Sequence, residues 1–146
     1  MSCRCTKYGM ALPFLLWSAS CDMIGDPAPS DVLAIEVTGD EYNWYFRYPG
    51  PDGVLGTDDD QHSIQDLFLP ENTDIVLKLT SNDYLYSFAL PDLDLREVAV
   101  PELSFELQFR TKGDQTLQIL GDQFCGFAHE TLIGNVHVGI DGDDHY

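Results

Sequence analysis

Short β-prone stretches follow one another along most of this chain, and nothing in it repeats with the period of a long helix. They are "VLAIEVTG", "YNWYFRYPG", "SIQDLFLP", "DIVLKLTS", "YLYSFALP", "LSFELQFR", "QTLQILG" and "GNVHVGI". Most are bounded by glycine, proline, asparagine or aspartate, the residues that turn a chain. Two of them alternate cleanly. Ile75, Leu77 and Leu79 share one face of "DIVLKLTS", with Lys78 and Thr80 on the other. Leu103, Phe105, Leu107 and Phe109 alternate with Ser104, Glu106, Gln108 and Arg110. A period of two residues puts one face against a core and the other in solvent. Seven to nine such strands predict an all-β protein, an antiparallel β-sandwich.

At 146 residues the chain holds one domain. Its hydrophobic fraction of 44% is enough for a core. Twenty-five acidic against seven basic residues leave a net charge of −18. Such a field repels nucleic acid and anionic membranes and favours basic proteins or cations. No P-loop, Ser/His/Asp set or zinc-hydrolase motif is present, so no enzyme is expected.

Residues 1–30 read as an export leader and linker. Arg4 and Lys7 precede the apolar "GMALPFLLWSA", which is too short to span a bilayer and is interrupted by Pro13. "SASC" then resembles a bacterial lipoprotein cleavage box, although Ser18 stands where an aliphatic residue is usual. The expected location is the periplasm or the outer face of the membrane. A lipid anchor at Cys21 is the one means of membrane attachment. The alternative is an apolar first element of an unexported protein, with Cys3 and Cys5 as incidental thiols. Residues 31–140 form the expected domain, and 141–146, "DGDDHY", an acidic tail. Cleavage and lipidation would leave Cys125 alone in the mature domain. It is then a buried thiol, a metal ligand or a reactive thiol.

Three passages carry a family resemblance. "VTGDEYNWYFRYPG", "LPENTDIVLKLTSNDYLYSFALPDLDLREVAVP" and "FCGFAHETL" resemble, in order and spacing, the soluble copper-bearing domain of cytochrome c oxidase subunit II. The similarity runs from about Val32 to Val138 and implies a cupredoxin-like Greek-key β-sandwich. The family's copper loop has the form C-x-E-x-C-x-x-x-H-x-x-M. With a histidine in an upstream "LHSF", it holds two copper ions bridged by two thiolates. Here Gly121 replaces the first cysteine, and Gln123 replaces the glutamate, a ligand through its backbone carbonyl. Cys125 and His129 are retained. Leu132 replaces the methionine, and Tyr86 in "YLYSF" replaces the upstream histidine. Loss of one bridging thiolate predicts that no dinuclear, CuA-type centre forms.

Two readings of the remainder stand. In the first, Cys125, His129 and Tyr86, with the Gln123 carbonyl, hold a single copper ion for electron transfer or copper handling. Thiolate and imidazole suit copper. A phenol must lose a proton whose ordinary pKa is about 10, which a bound cation can drive. In the second, the domain is a metal-free interaction module or an accessory subunit of a membrane respiratory oxidase. The resemblance places the electron-accepting tryptophan at Tyr42 and a second one at Trp44; core packing is the alternative for Trp44. A basic cytochrome or a membrane respiratory complex is the implied partner. Val98 stands where the family has an aspartate facing the catalytic subunit. The family's pair of N-terminal membrane helices has no counterpart in this sequence.

In "PGPDGVLGTDDDQH", Asp52, Asp58, Asp59 and Asp60 could gather a calcium ion through oxygen, but their order does not match the helix-flanked calcium loop. A solvated acidic turn is the alternative. His62, His137 and His145 lack metal spacing, and His137 is expected to face solvent.

Overall fold

The structure is a computed structural model that describes residues 32–123 and 132–139. The expected leader with Cys3, Cys5 and Cys21, the loop residues Cys125 and His129, and the acidic tail with His145 lie outside the described residues. Ten strands run β1 Val32–Asp40, β2 Asn43–Tyr48, β3 Gln61–Ile64, β4 Leu67–Leu69, β5 Asp74–Ser81, β6 Tyr86–Leu90, β7 Leu95–Ala99, β8 Phe105–Arg110, β9 Gln115–Gln123 and β10 Gly134–Val138. One 3-10 turn, Pro91–Leu93, joins β6 to β7.

The alternating residues decide which face of each strand is buried. Ile35 and Val37 of β1, Trp44, Phe46 and Tyr48 of β2, and Ile75, Leu77 and Leu79 of β5 point inward from one five-stranded sheet, ordered β3-β2-β1-β5-β8. Leu67 and Leu69, Tyr86, Phe88 and Leu90, Leu117 and Ile119, and Val136 and Val138 point inward from the other, ordered β4-β10-β9-β6-β7. The two inner faces make one core, as the packing of two amphipathic sheets requires. The β-sandwich expected from the alternation is therefore present.

Six of the eight strand pairings are antiparallel. The other two, β1 with β5 and β4 with β10, run parallel. "SIQDLFLP" is not one strand. It divides at Gln65, whose φ of 66° lies in the left-handed region, so β3 joins the first sheet and β4 the second. Gln65 N–H still donates to the Trp44 carbonyl at 2.9 Å, which fixes the crossing point. "LSFELQFR" pairs only from Phe105, and Leu103 is exposed. "LREVA", not among the β-prone stretches picked out from sequence, is the edge strand β7 and carries Val98 half-buried. His137 does not project freely into solvent: it is half-buried, stacked on Phe68 with ring centroids 5.2 Å apart.

Two connections at one end of the sandwich are tied together. The β1–β2 hairpin turns through Glu41 and Tyr42, both with positive φ (46° and 63°). This is the left-handed pair that a two-residue hairpin requires, usually supplied by Asn-Gly. The β5–β6 connection lies against it. Asn82 N–H donates to the Gly39 carbonyl at 2.9 Å, and Glu41 N–H donates to Asp83 Oδ2 at 2.9 Å.

Candidate metal centre

Trp44 is the hub around which the described positions of the ligand pattern collect. It is fully buried on β2, and its indole N–H donates to the Leu132 carbonyl at 3.1 Å. Its ring meets Tyr86 edge-on at 5.8 Å between centroids. On β9, Gly121 lies directly beneath it. A Cβ there would lie 2.8 Å from Trp44 Nε1, 2.9 Å from the Leu132 carbonyl oxygen and 3.0 Å from Leu132 Cβ. Gln123 is the register partner of Tyr86 across β9 and β6. The fold thus gathers Tyr86, Gly121, Gln123 and Leu132 at one end of the second sheet, as the copper-loop resemblance implies. Cys125 and His129 lie outside the described residues.

Three of the described positions, Gly121, Leu132 and Tyr86, present no free donor side chain. Gly121 has no donor, and the space a side chain would use holds the Trp44–Leu132 hydrogen bond. Leu132 is fully buried and fills the core. Tyr86 is fully buried, and its ring lies against Gly39, where a Cβ would come within 2.5 Å of it. Its hydroxyl donates to Asp83 Oδ1 at 2.7 Å and accepts from Tyr42 N–H at 3.3 Å. Burial first, and then the hydrogen bond to the Asp83 carboxylate, pushes the Tyr86 phenol well above its ordinary pKa. The hydroxyl acts here as a hydrogen-bond donor to Asp83, a bond it would have to give up to serve as the phenolate ligand considered from sequence. Among the described residues, no group of three or more His, Cys, Asp or Glu side chains could hold a metal ion.

Tyr42 is half-buried at the hairpin tip, stacked on Tyr84 at 5.4 Å and edge-on to Tyr86 at 6.2 Å. Burial, and then the neighbouring Tyr84, holds its phenol above the ordinary value. Trp44 has no exposed surface, as its core-packing reading requires. Asp83 and Tyr84 escaped the sequence reading. The signal was there in "NDYLYSF", where an acidic residue stands three positions before a tyrosine across a turn.

The acidic loop spends its carboxylates locally. Asp52 Oδ1 accepts from Val54 N–H at 2.8 Å, and Asp59 Oδ1 accepts from the Thr57 hydroxyl at 2.6 Å. That bond is the first cause of a lowered Asp59 pKa. Asp60 Oδ2 accepts from Gly56 N–H at 2.7 Å and pairs with Arg47 Nε at 3.2 Å. The Asp60 side chain is only 1% exposed. Asp52, Asp59 and Asp60 are thus turned toward the loop's own donors and Arg47, and with Asp58 they form no oxygen cage for calcium.

The comparisons with known proteins agree with this architecture. No protein-family model matches the chain. It is 29% identical over 139 residues to the alternative cytochrome c oxidase subunit 2 of Bradyrhizobium diazoefficiens, covering 80% of this chain and 50% of that protein. To the heme-copper oxidase subunit 2 of Aeropyrum pernix it is 24% identical over 122 residues, covering 82% and 49%. The chain therefore spans half or less of the length of these relatives. Among solved structures, the periplasmic domain of cytochrome oxidase subunit II of Bradyrhizobium japonicum superposes with a TM-score of 0.60 at 21% identity, covering 73% of this chain and 83% of that one. The fold is thus a cupredoxin sandwich. More narrowly, the chain carries a cytochrome c oxidase subunit II-like cupredoxin domain.

Proposed function

We propose that this chain is an exported, non-catalytic subunit II-like domain that associates with a membrane heme-copper oxidase and does not carry the dinuclear copper centre. The single observation behind this reading is the filled space at Gly121. A dinuclear centre needs a second thiolate bridge, and the Trp44–Leu132 contact stands where that side chain would go. Neither the neutral Tyr86 nor the apolar Leu132 supplies a replacement ligand. The oxidase subunits among its relatives support the choice of partner. The net charge of −18 favours a basic docking face on that complex or on a cytochrome, through steering more than through affinity.

A second reading rests on Cys125 and His129, which keep the ligand types and spacing of the family's loop. They would hold a single copper ion, with the Gln123 carbonyl as a third donor and Tyr86 outside the set. Thiolate and imidazole supply a soft site that cycles between two copper oxidation states.

The test of association is co-purification of the tagged full chain from detergent-solubilised membranes at low salt. Heme absorbance should travel with the tag and should be released as ionic strength rises. A chain recovered without heme from membranes that contain the oxidase would overturn the assignment.

A further inference from the structure

Five aromatic rings form a continuous line from the surface into the core. Tyr84 is 46% exposed and stacks on Tyr42 at 5.4 Å. Both meet Tyr86 edge-on, at 6.3 Å from Tyr84 and 6.2 Å from Tyr42. Tyr86 meets Trp44 at 5.8 Å, and Trp44 meets Phe88 at 5.1 Å. Edge-to-face and offset-stacked contacts at these spacings are the favoured ones for aromatic pairs. Packing alone would explain the rings. Beside them stands Asp83, half-buried and bonded to the Tyr86 hydroxyl.

Asp83 is fastened from two other sides. Tyr84 N–H donates to Oδ1 at 2.7 Å and Glu41 N–H donates to Oδ2 at 2.9 Å. Oδ1 is thereby aimed at the Tyr86 hydroxyl, 2.7 Å away. That distance is within the reach required of a base that accepts a proton as the reaction occurs. Tyr86 is itself sealed from solvent, while the two rings that lead to it reach the surface.

We infer that Tyr86 and Asp83 form a proton-coupled, one-electron redox pair, with Tyr84 and Tyr42 as the relay to a high-valent metal oxidant at the surface. The oxidant gains one electron and Tyr86 loses one, with the stacked Tyr84 and Tyr42 rings as the path between them. The Tyr86 O–H bond breaks, its proton moves to Asp83 Oδ1, and a neutral phenoxyl radical remains with a protonated carboxyl group beside it. One electron from a reduced one-electron metal complex and the proton returning from Asp83 Oδ1 restore the phenol. The inference rests on the reading in which Tyr86 stands outside any copper set; neither Cys125 nor His129 takes part.

The experiment uses the full chain without added copper and a photogenerated ruthenium(III) polypyridyl as the oxidant. Transient absorption and electron paramagnetic resonance should show a neutral tyrosyl radical with a long-lived component, because a buried radical is shielded from quenching. The Tyr86→Phe variant should lose that component, keeping only short-lived signals from exposed tyrosines. Asp83→Asn removes the proton acceptor and should slow radical formation. In wild type, formation should be slower in deuterated water than in ordinary water. Near-ultraviolet circular dichroism confirms that each variant is folded. A long-lived radical that persists in Tyr86→Phe would overturn the assignment. So would formation kinetics unchanged in Asp83→Asn, or a wild-type signal with no long-lived component. Should Tyr86→Phe fail to fold, the Asp83→Asn kinetics and the isotope effect decide alone.

Discussion

Trp44 and Leu132 are joined across 88 residues by one hydrogen bond, from the indole N–H to a backbone carbonyl at 3.1 Å. This bond occupies the end of the sandwich where a subunit II-like domain would bring its copper loop against the sheet. It also bears on Gly121, since a side chain at that position must displace it. A ligand has therefore not simply been deleted from a vacant site. The space is filled by a satisfied polar contact within an apolar surround.

The first prediction follows directly. Gly121→Cys, which restores the residue type of the lost ligand, should destabilise the domain. The new Cβ would lie within 3.0 Å of Trp44 Nε1, the Leu132 carbonyl and Leu132 Cβ. Overpacking of a well-filled core costs about 1–3 kcal/mol. Urea denaturation should show a lower midpoint with an unchanged slope. A midpoint equal to wild type would mean that the space is not filled as described.

Tyr86 makes a prediction about alkaline stability. Its phenol pKa is raised in the folded protein above the ordinary value of 10.0. The folded chain therefore holds this proton at pH values where the unfolded chain has released it. The contribution to stability is complete below pH 10 and is lost as pH rises beyond it, at up to about 1.4 kcal/mol per pH unit for one proton. Tyr86→Phe removes that term. Unfolding midpoints measured from pH 8 to alkaline conditions should fall less steeply for the variant than for wild type above about pH 10. Parallel curves would contradict the burial and the Asp83 bond assigned to this hydroxyl.

Much of the sandwich was legible in the sequence, and its failures have physical causes. Alternation placed Ile75, Leu77 and Leu79 inward because a strand's period is a local property. It could not show that β1 pairs with β5 in parallel, since periodicity carries no direction. The division of "SIQDLFLP" depends on one left-handed residue, Gln65, in a run that otherwise reads as continuous strand. β7 was missed because Arg96 and Glu97 dilute its apolar pattern, as befits a sheet edge. At the candidate centre, the substitutions at Gly121, Tyr86 and Leu132 were visible at once. What fills the space at Gly121 was not, because the Trp44 bond joins residues 88 apart in the chain; the Asp83–Tyr86 bond spans only three residues and was within reach of the sequence.

The hairpin tip supplies a stabilising substitution. Glu41 adopts φ 46° and is exposed, and its backbone N–H, not its side chain, makes the bond to Asp83. An L-residue in this region is strained by roughly 1–2 kcal/mol, and asparagine tolerates it best after glycine. Glu41→Asn should raise the thermal midpoint, by roughly 0.5–1 kcal/mol in stability, while preserving the turn. It also removes one charge from a strongly acidic chain. An unchanged or lowered midpoint would show that the turn is not strained at this residue.

Whether this subunit II-like domain lacks a dinuclear copper centre is decided by loading the full chain with copper and counting the bound metal alongside its electron paramagnetic resonance spectrum. At most one copper per chain and no mixed-valence signal are expected. Two coppers per chain sharing one unpaired electron would contradict that expectation.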